Sequence, residues 1–401
     1  MTQTLSVQEK KLMTPAARIH AAIDLIDRIQ SGELADRAMA SWGRNNRYAG
    51  SKDRASIADI VYEVLRKKQS FSVLGGGQTG RALLLGFVRA SNQDPETIFG
   101  VDRYAPPELL AEELAAGEPH EFVDEDATDF PDWIWPELVQ SHGDKAAGIA
   151  GALRSRAPIF VRVNLAKRTR DDAISLLANE GIIGQANPLS PSAIEVLEGE
   201  RKIRNSTLFQ TGEVELQDAS SQAIADLVPL QTGQRLLDFC AGAGGKVLAV
   251  AGRVLGDFYA HDVDVRRMKD LQPRAIRAGV SVKQVAIEDL TRSSQFDTVL
   301  VDAPCSGSGS WRRDPQGKWL LTEEKLDHVI RLQSEILDQV STMVTPNGHL
   351  VYATCSLFSR ENELQIKGFL DRDETFSLLS EHHFSPLEGG DGFYCAVLRK
   401  N

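Results

Sequence analysis

Residues 235–251 read RLLDFCAGAGGKVLAVA. An apolar run ends in Asp238, a glycine-rich turn follows, and an apolar stretch of helical period comes next. That is a strand feeding a helix through a tight turn. Comparable units follow downstream. DFYAHD (257–262) precedes a helix over 265–278; then come VKQVAI, DTVLVDAP (297–304), a long helix over 322–344, GHLVYATCS (348–356) and a last strand, GFYCAVLRK. Strands alternating with helices predict an α/β fold built on a parallel, doubly wound sheet.

In such a sheet ligands bind beyond the carboxyl ends of the strands, at the point where the strand order reverses. Cys240, Ala241, Gly242, Ala243, Gly244, Gly245 and Lys246 form the turn at that end of the first strand. Asp262 closes the next strand, at a place where an acid binds ribose hydroxyls. Two cofactors fit this outline, a dinucleotide and S-adenosylmethionine. The dinucleotide pattern G-x-G-x-x-G has Gly242 and Gly244, but Val247 stands in place of the third glycine. A tight turn with no ligand would look the same, so the rest of the site has to discriminate.

Two further strands end in cysteines: Asp302-Ala303-Pro304-Cys305 and Ala353-Thr354-Cys355-Ser356. As neighbours in a doubly wound sheet they would present both thiols to one crevice. Either cysteine alone reads as a small buried residue; the pair, each beyond a strand end, reads as chemistry. Carbon 5 of cytosine is a poor nucleophile. A thiolate that adds to carbon 6 makes carbon 5 electron-rich enough to attack a methyl group on a sulfonium; loss of the carbon 5 proton and of the thiol then restores the ring. Asp302 is placed to hydrogen-bond the ring near N3, and a second thiol can assist the elimination. Cys395, in the middle of the last strand, reads as core.

Upstream the character changes. Residues 157–218 carry a strand (PIFVRVN), a capped helix (TRDDAISLLANEG) and two more strands (SAIEVL, GEVELQD), a small α+β unit like half of a ferredoxin-like fold. Before residue 150 only helical patterns occur. Thr14 and Pro15 open a helix that Gly32 ends, with Ile19, Ile23, Ile26 and Ile29 on one face. Another begins at Ser51 with Ile57, Ile60, Val61, Val64 and Leu65 inward, and further patterns lie at 80–91 and 106–116. Residues 117–133 are acidic and aperiodic and read as a linker. Arg44, Arg47, Lys52, Arg54 and Arg66–Lys68 give either an RNA-phosphate face or a solvated helix surface.

The chain of 401 residues has a net charge of −11, which argues against nucleic acid until its distribution is seen. Residues 81–150 hold 4 Lys/Arg against 15 Asp/Glu, so the remainder is close to neutral. The four cysteines include no CxxC pair, which disfavours structural zinc, and neither an apolar signal core nor a membrane-length apolar run is present. The expectation is a cytoplasmic monomer with reduced thiols, no metal, no membrane association and no obligate protein partner.

Four segments together resemble the RNA (cytosine-5) methyltransferases of the RsmB/Sun type. They are the 238–246 turn, Asp302 to Trp319, Ala353–Ser356 with Glu361-Asn362-Glu363, and Leu216 to Ser221. The match is specific from about 213 to 400 and looser over 157–212. The resemblance implies an S-adenosylmethionine-dependent catalytic domain at 213–401, a small α+β RNA-contacting domain at 134–212, and an all-helical NusB-like module at 1–125. It makes Cys355 the nucleophile, Cys305 the thiol that assists release, and Asp302 the residue that orients the cytosine. Lys246, Asp262 and the 240–245 turn would hold the cofactor. Two departures stand out. Gly242-Ala243 replace the family's Ala-Pro in the turn. Ala286 falls where an acid usually meets the adenine, leaving Glu288 or Asp289 to substitute. The implied substrate is an unpaired or flipped-out cytosine of ribosomal RNA. The alternatives are a transfer RNA cytosine methyltransferase, a catalytically silent RNA-binding assembly factor, and a nucleotide-dependent oxidoreductase, which Val247 disfavours and which leaves the paired thiols unexplained.

Overall fold

In the computed structural model, which describes residues 12–115, 128–290 and 295–401, Thr14 caps the first helix by accepting a hydrogen bond from the Ala17 N–H at 3.1 Å. Pro15 suits the first turn because it has no N–H to leave unsatisfied. The helix runs Pro15–Gln30 and buries Ile19, Ile23, Ile26 and Ile29, the face its 3.6-residue period predicts. Helices Ala35–Asn45, Ser51–Arg66, Lys68–Gly75, Gly80–Ala90 and Ala111–Ala115 follow. The first strand anywhere among the described residues begins at Ile159. Most of the acidic segment read as a linker lies outside the described residues.

The described residues fall into two compact units. One comprises those within Met1–Trp135 together with Asp314–Trp319, a segment that returns from far along the chain. Helix ends explain why this segment belongs there. Helix Ala35–Asn45 starts after Leu34, which has no side chain to cap it; Gln316 Oε1 accepts from the Ala35 N–H at 2.8 Å instead. Helix Ser51–Arg66 leaves carbonyls open at its end. Lys318 Nζ donates to Arg66 O and Trp319 Nε1 to Leu65 O, each at 2.7 Å. Both are orphan groups of helix termini satisfied by a distant segment. The proposed basic face is partly real. Arg44, Arg47, Lys52 and Arg54 are exposed, but Arg66 is only 7% exposed and ion-paired with Glu63.

The second unit, Pro136–Arg313 with Leu320–Asn401, holds two sheets. The smaller contains β1 (Ile159–Val163), β2 (Ile183–Ala186), β3 (Ala193–Glu198) and β4 (Val214–Leu216) in the order β2-β3-β1-β4, all antiparallel. Helix Arg170–Asn179 packs on it, with Val161, Val163, Leu177 and Ile194 between them. β2 is the strand that the sequence reading lacked. It is a short edge with little burial and a glycine, so it shows no alternation.

The larger sheet has β5 (Arg235–Asp238), β6 (Asp257–Ala260), β7 (Val282–Gln284), β8 (Phe296–Asp302), β9 (Val344–Thr354), β10 (Phe376–Phe384) and β11 (Phe393–Lys400). Their order is β10-β11-β9-β8-β5-β6-β7. β5 to β9 are mutually parallel, while β10 and β11 are antiparallel. Val299, Leu300 and Val301 of β8 are fully buried, as expected of a strand covered on both faces. The chain order reverses between β5 and β8, so the crevice for a ligand opens above the carboxyl ends of these two strands.

Candidate active site

β8 and β9 are neighbours, and Asp302 pairs in register with Ala353. The Ala303 N–H still donates to Ala353 O at 2.8 Å; beyond it the two chains leave the sheet as loops. This register brings the two reactive candidates together, with Cys305 Sγ and Cys355 Sγ 3.2 Å apart. The hydrogen bond with Cys355 comes first among the causes that hold the Cys305 thiol above its usual pKa. Burial and the negative potential of Cys355 and Glu361 follow. The four cysteines are free thiols. Cys395 is fully buried in β11 and burial pushes it up to about 12, in keeping with a core role. Burial likewise raises Cys240, which packs partly into the core beneath the turn.

Lys246 and Asp302 form an ion pair of 2.6 Å beside the thiols. Lys246 is 6% exposed, and its ammonium also lies 5.1 Å from the centre of the Phe393 ring. Burial works against its charge. Asp302, by charge and hydrogen bond, and then the negative potential of Cys355 and Asp238 outweigh burial and raise its pKa. Lys246, expected from the sequence among the cofactor-binding residues, thus pairs with Asp302, which the sequence places at both the cofactor and the reactive end.

The glycine turn is a strained path held from outside. Gly242 has φ +50° and Gly244 φ +79°, conformations that favour glycine. A Cβ on Gly244 would meet Leu271 Cγ at 2.9 Å. Carbonyls of the turn are bound by arginines and a glutamine: Arg162 to Gly245 O at 2.7 Å, Arg274 to Ala243 O at 2.7 Å, Gln217 to Gly245 O at 3.2 Å. Asp262 accepts from the Gly242 N–H at 2.9 Å and the Asp264 N–H at 3.0 Å, and pairs with Arg267 at 3.3 Å. Its carboxylate thus also braces the turn. Asp289 lies in the turn Ile287–Asp289 after β7, exposed, at the same end of the sheet.

Asp238 has a buried side-chain oxygen open to a further partner. Its Oδ2 accepts from the Val247 N–H at 3.2 Å, while its buried Oδ1 has no hydrogen-bond partner among the described residues. Burial, and next the charge of Asp302, push its pKa up to about 7. A buried carboxylate oxygen left open beside a glycine turn suits a ligand that brings a donor or a positive charge. These residues fit S-adenosylmethionine, which has both.

The loop after Cys305 is fixed internally. Arg312 pairs with Asp391 at 3.3 Å; Arg313 pairs with Asp391 at 2.5 Å and Asp218 at 2.7 Å. Arginines just past a catalytic loop could clamp RNA phosphate or brace the loop by internal ion pairs; the contacts of Arg312 and Arg313 are those of a brace. The loop after Cys355 is fixed by residues the sequence reading left without a role. Asn362 accepts from Thr354 Oγ1 at 2.6 Å and donates to Ser356 O at 3.0 Å, so it brackets Cys355 on both sides. His142 Nε2 donates to Leu357 O at 2.8 Å, Arg360 pairs with Glu137 at 3.4 Å, and Arg360 also pairs with Asp327. The one sequence signal was the acid-amide-acid triplet Glu361–Glu363, close behind a cysteine. Among the described residues no cluster of His, Cys, Asp and Glu could hold a metal ion, and no helix is long and apolar enough to cross a membrane.

Residues 225–398 match the family model for the 16S rRNA methyltransferase RsmB/F, and residues 130–203 match the ferredoxin-like domain of RsmF/B-like methyltransferases. Ribosomal RNA small subunit methyltransferase B of an Enterobacter species is 35% identical over 306 residues, covering 72% of this chain and 70% of that protein. Its namesake in Photorhabdus laumondii is 34% identical over 286 residues, covering 67% of this chain and 66% of its own length. A crystal structure of a methyltransferase homologue from Pyrococcus horikoshii superposes with a TM-score of 0.61 at 26% identity, over 68% of this chain and 96% of that one.

Proposed function

The chain belongs to the RsmB/F family and is an S-adenosylmethionine-dependent RNA (cytosine-5) methyltransferase, and on that premise we propose that Cys355 is its nucleophile and ribosomal RNA its substrate. The observation that carries the reading is the pair of thiols 3.2 Å apart next to the Lys246–Asp302 ion pair.

Cys355 Sγ forms a bond to carbon 6 of the cytosine, and the electrons of the 5,6 double bond move toward carbon 5. The Lys246 ammonium, held by Asp302, places a positive charge at the reactive end of the site. Asp302, 35% exposed at its side chain, offers its second carboxylate oxygen as acceptor to the amino group of the cytosine. S-adenosylmethionine supplies an electrophilic methyl group when bound. Asp238, Asp262 and the Gly242–Gly245 turn would hold it, with Asp289 as the candidate acid for the adenine. After methylation water takes the carbon 5 proton, the electrons of that C–H bond re-form the 5,6 double bond, and Cys355 leaves carbon 6 as a thiolate that the Cys305 S–H hydrogen-bonds, so charge and protons balance. Arg44, Arg47, Lys52 and Arg54 are proposed to meet RNA phosphates. The same reading puts the enzyme in the cytoplasm.

The test is transfer of labelled methyl groups to RNA lacking 5-methylcytosine, with ribosomal and transfer RNA in separate arms. Label in 5-methylcytosine of ribosomal RNA is expected from the wild type and none from Cys355→Ala. A protein–RNA adduct should accumulate with Cys305→Ala. Undiminished activity of Cys355→Ala would remove it as nucleophile, and transfer confined to transfer RNA would replace the substrate.

A further inference from the structure

Glu361 is completely buried, and among the described residues no cation lies within ion-pairing distance of it. A carboxylate in that position has to be satisfied by hydrogen bonds. Four donors reach it. Oε1 accepts from the Ser306 N–H at 2.8 Å and from Gln333 Nε2 at 3.0 Å. Oε2 accepts from Ser306 Oγ at 2.5 Å and from Ser356 Oγ. Ser306 follows Cys305 in the chain, and Ser356 follows Cys355. One side chain thus ties together the residues directly after the two thiols. The tie is reinforced around it. Ser306 Oγ and Ser356 Oγ are 3.2 Å apart, Ser308 Oγ accepts from the Leu357 N–H at 2.7 Å, and Gln333 Nε2 also reaches Pro304 O at 2.9 Å. Glu361 is itself anchored, since Tyr352 Oη donates to its backbone oxygen at 2.8 Å.

We propose that Glu361 is a positioning residue for the methyl transfer: by binding Ser306 and Ser356 it sets the separation of Cys305 and Cys355, without touching the substrate. The relative placement of the thiols decides whether the second can reach the first as it leaves carbon 6, and misplacement by about 1 Å costs on the order of a hundredfold in rate. This rests on the cysteine roles proposed above, but the spacing can be read without them.

The test uses the full chain and dibromobimane, which becomes strongly fluorescent when it bridges two neighbouring thiols. It needs neither RNA nor methyl donor, so it does not depend on the assignment of the nucleophile. Cys305→Ser gives the background. Glu361→Ala is expected to cross-link about tenfold more slowly than wild type and to lose about ten- to hundredfold in kcat, with KM for RNA little changed. Glu361→Gln should recover most of both, because its amide keeps an acceptor for the Ser306 N–H and the serine hydroxyls can reverse to accept from its NH2. Wild-type cross-linking and kcat in Glu361→Ala would overturn the proposal. So would a Glu361→Gln protein as impaired as Glu361→Ala, since charge and not bridging would then be at work. Where Glu361→Ala does not fold, the double variant Ser306→Ala/Ser356→Ala removes the hydroxyl half of the bridge from its other side and is expected to change cross-linking and kcat in the same direction by a smaller factor. If Cys355→Ala stays active while Glu361→Ala loosens the thiol pair, the nucleophile assignment fails and the positioning role stands.

Discussion

Lys246 Nζ sits 2.6 Å from Asp302 Oδ2, joining the first residues of the helix after β5 to the last residue of β8. The ammonium stays charged despite burial because Asp302 first, and then Cys355 and Asp238, raise its pKa. Lys246→Met is expected to lower kcat about a hundredfold, the size of effect seen when one preorganised electrostatic group is removed. Single-turnover methylation by both proteins checks this; an unchanged rate would place Lys246 outside the chemistry.

At neutral pH the burial of Asp238, proposed above to help hold the cofactor, makes the fold less stable. Its folded-state pKa, about 7, lies above the ordinary carboxylate value of 3.8, so the native state holds its proton where the unfolded chain has lost it. Stability from this group is therefore complete below pH 3.8 and falls as pH rises through about 7. Asp238→Asn should raise the melting temperature at pH 8 and lose that advantage progressively as the pH is lowered toward 4. Its affinity for S-adenosylmethionine should drop, by calorimetry, about tenfold or more. A stability gain equal at pH 5 and pH 8 would contradict the argument.

The central strands of the parallel sheet, β5, β8 and β9, were legible because each carries an apolar run. β2 and β10 were not. Ile183–Ala186 and Phe376–Phe384 are edges with mostly exposed side chains, so burial imposes no pattern on them. Helix Ala35–Asn45 was missed for another reason: its cap is Gln316, far along the chain, and local rules see only Leu34. The same distance explains the site. Cys305, Cys355 and Asp302 announce themselves by residue type at strand ends. Lys246 looked like part of a cofactor turn because its partner is on another strand. Glu361 and Asn362 act through serines and a threonine that any surface loop could carry, and only the fold brings them together.

The Gln316 contact gives a test of the helical unit. Gln316 Oε1 caps the Ala35 N–H, and Gln316 Nε2 donates to Glu33 O at 3.0 Å. Gln316→Ala should cost about 1 kcal/mol, the usual loss when a helix N-terminus loses its side-chain cap. Thermal unfolding followed by far-ultraviolet circular dichroism should show a midpoint a few degrees lower. Placing an acceptor locally, with Leu34→Ser, should restore part of the loss in the Gln316→Ala background. No loss in Gln316→Ala would mean that water serves the Ala35 N–H equally well.

Arg313 separates the two readings of the loop after Cys305. It satisfies Asp391 and Asp218 at once, and both carboxylates are buried, with side-chain exposures of 3% and 8%. Removing a partner from a buried pair leaves uncompensated charge and typically costs about 3–5 kcal/mol. Arg313 itself is 35% exposed at its side chain, so solvent lowers that figure, and a loss of about 1–3 kcal/mol is expected for Arg313→Ala. An arginine clamping RNA phosphate would behave otherwise: its loss would flatten the dependence of log K on log salt by about one unit. An internal brace leaves that slope unchanged. RNA binding at several salt concentrations, alongside a urea titration, therefore decides between them. A destabilised protein with an unaltered slope is the expected result; a stable one with a slope lower by about one would return Arg313 to the phosphate-binding role.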